Sequence, residues 1–186
     1  MPGNRFPFPN RQSRRLADWD YAQPGGYFIT IVTQDRAKVF SVIEKGQAHL
    51  TDAEEMVRTE WEKLPGRYEG VELDEFVVMP NHLHAILFIS SNIVKSGTET
   101  KECVYPGPAI GAIIGAYKSI TTLAYIRGVH EHAWLPFPRR LWQRNYYDHI
   151  IRPPDELDAL RTYVINNPVE WELDEENPAR SGIDSV

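Results

Sequence analysis

The chain has a single cysteine, Cys103, among its 186 residues, so no internal disulfide can form. It also has no long apolar run: the longest, Ala109 to Tyr117, spans nine residues, against the about twenty that a membrane-crossing helix needs. No membrane partner is expected. The start Met1-Pro2-Gly3-Asn4-Arg5 lacks an apolar leader core, and together with the lone cysteine this predicts a cytoplasmic location. Net positive charge is missing too: 20 Lys plus Arg stand against 26 Asp plus Glu, giving −6. That balance excludes a protein that coats DNA through overall basicity. Nor is there a phosphate-binding P-loop, because Lys118-Ser119 follows Ala116-Tyr117 and not a glycine. What remains is an ordinary globular composition, 42% hydrophobic, 25% charged and 11% aromatic, over a length suited to one domain.

The charge is unevenly placed. Residues 1–15 carry Arg5, Arg11, Arg14 and Arg15 with no acid, and Pro7 and Pro9 oppose regular structure, so a basic N-terminal arm is expected. Between Tyr105 and Arg152, Lys118, Arg127, Arg139, Arg140, Arg144 and Arg152 face only Glu131 and Asp148, among eight aromatic residues. Bases interleaved with rings suit phosphates and unstacked nucleobases. From Asp155 onward nine acids face Arg161 and Arg180. The division expected is therefore an arm over 1–15, a folded domain over 16–170 and an acidic tail over 171–186, which would cover the basic face and restrain activity.

Gly25-Gly26 turns into Tyr27–Thr33, a β-branched and aromatic run that predicts a core strand. Thr51, with Glu54 three residues on, predicts a capped helix to Leu64, ended by Pro65-Gly66. Val71–Met79 and His84–Ile89 predict neighbouring antiparallel strands around a Pro80-Asn81 turn. Ser91–Tyr105 reads as a loop, 109–127 as a helix whose Gly107, Gly111 and Gly115 stripe packs tightly on the sheet, and 142–151 as holding a short strand. A last helix, capped by Asp155, runs to Asn167 before Pro168. Helices separated by paired strands predict an α+β fold: a ferredoxin-like split βαβ sandwich with a central antiparallel sheet.

Two patterns carry chemistry. In Met79-Pro80-Asn81-His82-Leu83-His84 the histidines are two apart at the start of a strand. Residues i and i+2 share a face of an extended chain, so both imidazoles can reach one metal ion while Leu83 points into apolar packing. A structural or surface pair is the bland alternative, and His130-Glu131-His132 repeats the spacing in what reads as a loop. In the last helix Tyr163 and Asn167 are four apart and share a face. The amide oxygen is a reasonable third ligand for magnesium or manganese, and the phenol a nucleophile once activated. The bland alternative there is a packing residue and a C-cap. Tyr146 and Tyr147, also beside bases, are rival nucleophiles.

Those two patterns, with Trp142-Gln143-Arg144-Asn145-Tyr146-Tyr147-Asp148-His149-Ile150-Ile151-Arg152 between them, resemble the HUH single-tyrosine transposases, and among these the REP-associated tyrosine transposases. The resemblance covers roughly Arg15 to Val169. It implies that His82, His84 and Asn167 hold a divalent metal, and that Tyr163 attacks a phosphodiester of single-stranded or hairpin DNA to give a 5′-phosphotyrosine link and a free 3′-hydroxyl. Insertion-sequence relatives often carry glutamine where this chain has Asn167, and are commonly homodimers. The resemblance further leaves Arg14, Arg15, Lys118, Arg139, Arg140, Arg144 and Arg152 to hold phosphates. Two other readings compete: a hairpin-binding protein of the same fold that does not cleave, and a metal hydrolase unrelated to DNA, with Asp74 and Glu75 supporting the histidines.

Overall fold

A computed structural model of the chain describes residues 24–44, 47–90, 92–95, 102–105, 107–152 and 154–179. The expected basic arm, with Arg14 and Arg15, and the end of the acidic tail lie outside the described residues. In chain order the elements are β1 (Gly25–Val32), a 3₁₀ turn (Gln34–Arg36), β2 (Ser41–Glu44), β3 (Gln47–Leu50), α1 (Asp52–Glu62) and α2 (Leu64–Arg67). They continue with β4 (Val71–Met79), β5 (His82–Ile89), β6 (Asn92–Lys95), β7 (Glu102–Tyr105), α3 (Ile110–Glu131), β8 (Tyr147–Ile151), α4 (Pro154–Asn166) and a second 3₁₀ turn (Trp171–Leu173).

The four long strands form one sheet in the order β4-β5-β1-β8, every neighbouring pair antiparallel. This is the α+β architecture expected, with α1 lying between β1 and β4 along the chain and α3 between β5 and β8. Alternation along the strands sorts the side chains to two faces. Tyr27, Ile29 and Ile31 of β1 and Leu83, Ala85 and Leu87 of β5 join Val57 and Trp61 of α1 and Ile113, Ile114 and Tyr117 of α3 in the main core. Phe28 and Ile86 point the other way and meet Leu160, Tyr163 and Val164 of α4. The last helix therefore covers the face that α1 and α3 leave open.

Local chemistry explains the element ends. Thr51 caps α1, its hydroxyl oxygen accepting from the Glu54 amide at 3.2 Å. The helix stops at Glu62, and Pro65-Gly66 sit inside the short α2; proline is tolerated there because a first-turn N–H has no helical partner. Pro80-Asn81 is the two-residue connection of the β4–β5 hairpin, with Met79 opposite His82. Asp155 stands in the first turn of α4, which begins at Pro154, so its carboxylate meets the positive end of the helix from inside.

Two readings of the sequence are corrected. Ser91–Tyr105 is not all loop: β6 and β7 pair within it, Asn92 opposite Tyr105. Their β-branched residues Ile93, Val94 and Val104 form the ladder on either side of the Gly- and Thr-rich stretch. The glycines do not act together as one sheet-packing stripe either. A Cβ at Gly107 would lie 2.6 Å from Ile89, but Gly115 has nothing within 4 Å. The face of α3 that enters the core is Ile110, Ile113, Ile114, Tyr117, Thr121, Tyr125 and Gly128. The β2–β3 hairpin was not anticipated; only Lys45 and Gly46 separate its strands in sequence.

Candidate metal and tyrosine site

His82 and His84 lie on the α4 side of β5, both fully buried, while Leu83 enters the main core. Their rings are 4.4 Å apart. A buried imidazole must have its polar atoms engaged. His84 Nδ1 is 2.8 Å from the Thr30 hydroxyl on β1, whose residue stands opposite it in the ladder. His82 Nδ1 is 2.8 Å from Asn81 Oδ1. Phe28 stacks on His84 with ring centroids 5.4 Å apart. With Nδ1 occupied in both rings, each directs Nε2 to one region.

Helix α4 brings its residues to that region by register. Leu160, Tyr163 and Asn167 fall three or four positions apart, and all three are buried. The Tyr163 hydroxyl is 3.3 Å from His84 Nε2. Two side contacts hold the helix: Arg161 binds Asp74 through two bonds of 2.6 and 2.9 Å, and Glu156 meets His149 at 2.7 Å and accepts the Arg152 amide. Asp74 reaches α4 because the β4–β5 register shifts between Leu73 and Phe76, which takes it out of the ladder.

The third group at the site is one that the sequence did not single out. Asp174, beyond the 3₁₀ turn at Trp171–Leu173, places Oδ2 3.9 Å from Nε2 of both histidines. One ligand atom from each of His82, His84 and Asp174 lies within 4.8 Å of the others, and this is the only such group among the described residues. Burial would raise the Asp174 carboxyl, but the two imidazoles and the Glu176 amide outweigh it and hold the group well below the usual carboxylate range. Asn167 donates to the same Oδ2 at 3.2 Å, while its own Oδ1 is buried with no hydrogen-bond partner among the described residues. Trp171 packs beside His82 with the Lys38 ammonium over its ring. Nine acids spread over the C-terminal stretch hid Asp174, and the signal that could have found it is the large apolar Trp171 anchoring that stretch.

These atoms fit a divalent cation. Three groups that each offer a ligand atom converge within 4.8 Å of one another, and an orphaned amide oxygen stands beside them. Two imidazoles with a carboxylate are a donor set able to hold a divalent metal ion.

The other expected site residues sit apart from this cluster. Tyr146 packs against the main core beneath the Lys118 ammonium, 5.4 Å from its ring. Tyr147 is on the site face, edge-on to Phe28 at 6.5 Å. The Lys118 ammonium donates to the carbonyls of Gln143 and Asn145 at 3.1 and 2.9 Å, and burial pulls it down to about 8. Arg139, Arg140, Arg144 and Arg152 are exposed. His130 and His132 are at the exposed end of α3 and form no metal cluster. Asp74 supports Arg161 rather than the histidines. No helix among the described residues is long and apolar enough to cross a membrane.

No family model matches the sequence. The chain is 34% identical over 173 residues to an uncharacterized protein of Haemophilus influenzae, covering 89% of this chain and 92% of that one. Its fold resembles that of a REP-associated tyrosine transposase bound to a REP hairpin, with a TM-score of 0.50, 18% identity, and coverage of 81% of this chain and 70% of the other. The protein thus belongs to one family with the Haemophilus influenzae protein, and it has the fold of the REP-associated tyrosine transposases.

Proposed function

We propose that the protein is a metal-dependent endonuclease of the transposase type, which nicks and rejoins single-stranded DNA at hairpin-forming sites through Tyr163. The observation that carries this reading is the Tyr163 hydroxyl at 3.3 Å from His84, beside the convergent histidines and Asp174. A nucleophile and candidate metal ligands meet on one sheet face, in a fold shared with a protein solved on a REP hairpin.

His82 and His84, with Asp174 or Asn167, would hold magnesium or manganese, which when bound supplies positive charge to offset the negative charge developing on the phosphoryl oxygens. The chain's own part is positional. Helix α4 aims the phenol at the scissile phosphorus; the Tyr163 oxygen–phosphorus bond forms, the phosphorus–3′-oxygen bond breaks, the phenol loses its proton and the 3′-oxygen gains one. The bond energy is kept in the phosphotyrosine, so rejoining runs the step backwards without a nucleotide triphosphate. Arg139, Arg140, Arg144 and Arg152, with Arg14, Arg15 and Lys118, would contact phosphates.

One observation favours a second reading, a hairpin-binding protein that does not cleave: Tyr163, His82 and His84 are each at most 3% exposed, so no phosphate reaches them in this arrangement. A denaturing gel separates the two. Labelled hairpin DNA with manganese should give a protease-sensitive, slow-migrating adduct with the native protein and with Tyr146→Phe/Tyr147→Phe, and none with Tyr163→Phe. Binding without any adduct across a panel of hairpins would favour the second reading.

A further inference from the structure

Asn81 occupies the turn between β4 and β5, fully buried, and every hydrogen-bonding atom of its amide is engaged. Nδ2 donates to two backbone carbonyls, that of Arg36 at 3.2 Å and that of Glu176 at 2.8 Å. Carbonyls only accept, so the amide cannot be turned over without setting oxygen against oxygen twice. Its Oδ1 therefore faces His82 Nδ1 at 2.8 Å. An amide oxygen also only accepts, so the hydrogen of that contact belongs to the imidazole.

We propose that Asn81 is a positioning residue that fixes His82 as the Nδ1–H tautomer, leaving Nε2 to meet His84 and Asp174 at their common point. The role rests on the metal-site reading above. Two further consequences follow from the same bonds. The ring cannot rotate about its Cβ–Cγ bond without losing the contact, so its direction is set before any cation arrives. Because the other arm of the amide holds the Glu176 carbonyl, the residue that orients His82 also ties down the segment presenting Asp174. The backbone confirms the anchoring of this turn from the other side, since Thr33 donates to the Asn81 carbonyl at 2.8 Å.

The test is long-range proton–nitrogen correlation NMR on isotope-labelled, metal-free protein, at a pH where both rings give neutral-imidazole signals. His82 in the native protein should carry its hydrogen on Nδ1. A hydrogen on Nε2, with manganese still bound on titration, would overturn the proposal without recourse to any variant. In Asn81→Leu the His82 signals should shift toward a tautomer mixture, and manganese affinity should fall about 10- to 100-fold. Asn81→Gln, which keeps both the acceptor oxygen and the donor amide on a longer stem, should retain more of the Nδ1–H signature and lose less affinity. Equal losses in the two variants with an unchanged tautomer would show that Asn81 acts only through folding, and the proposal would be wrong. If the native protein shows the Nδ1–H tautomer and yet binds no manganese, it is the metal-site reading that fails.

Discussion

Asp74 on β4 and Arg161 on α4, 87 positions apart in the sequence, are joined by two hydrogen bonds of 2.6 and 2.9 Å. The pair fixes the helix carrying Tyr163 against the edge of the sheet, and a two-bond fork restrains angle as well as distance. Asp74→Asn should therefore slow tyrosine–DNA adduct formation more than it weakens hairpin binding. Single-turnover cleavage and a binding titration on the same protein check this, and a parallel loss in both would show the fork to be a general stabiliser. The Asp74 carboxyl is lowered by the Arg161 hydrogen bond. The pair's contribution is thus full above the ordinary carboxylate range and is lost as pH falls through the lowered folded value.

Tyr163→Phe separates chemistry from folding. The hydroxyl contact with His84 is long, 3.3 Å, and a net hydrogen bond contributes only about 0.5–1.5 kcal/mol, while the ring still fills its place beside Phe28. The variant should melt within a few degrees of the native protein and form no adduct. Urea unfolding beside the adduct gel reads both quantities.

Lys118 gives a prediction in the alkaline range. Its ammonium ordinarily titrates at 10.5, and burial lowers it to about 8 in the folded protein. Between those values the unfolded chain holds a proton that the folded one has released, so stability should rise with pH across that window. Lys118→Met should flatten the rise, as read from melting temperatures at stepped pH. An unchanged slope would mean that the contacts with Gln143 and Asn145 keep the group charged.

Trp171 shields the His82 ring. Trp171→Ala should leave the main core intact, because Trp171 is not part of it, and should speed diethylpyrocarbonate modification of His82, measured by peptide mass mapping. Equal rates would show that other parts of the chain do the shielding.

The strands were legible where β-branched and aromatic residues ran together. Tyr27–Val32 and His84–Ile89 are such runs because both faces of the sheet are covered, and the two-residue histidine spacing then fixes a shared face. Tyr163 and Asn167 were legible for the same kind of reason, a helical repeat. What escaped was set by tertiary contact. β6 and β7 were obscured by the polar stretch between them, and the glycines of α3 suggested a packing face although Gly115 meets nothing. Asp174 could not be found by periodicity, since it reaches the histidines from an irregular segment whose path depends on Asn81, Trp171 and Asn177.

The tight β4–β5 hairpin has a consequence for the order in which the site comes into being. His82 and His84 stand beside their own turn and are placed once the hairpin closes, whereas Tyr163 is translated 79 residues after His84 and Asp174 later still. A domain folds as a unit, so these groups come together only after α4 and the segment beyond it have been made, and a polypeptide interrupted before α4 has the paired imidazoles in its sequence but neither the Tyr163 phenol nor the Asp174 carboxylate.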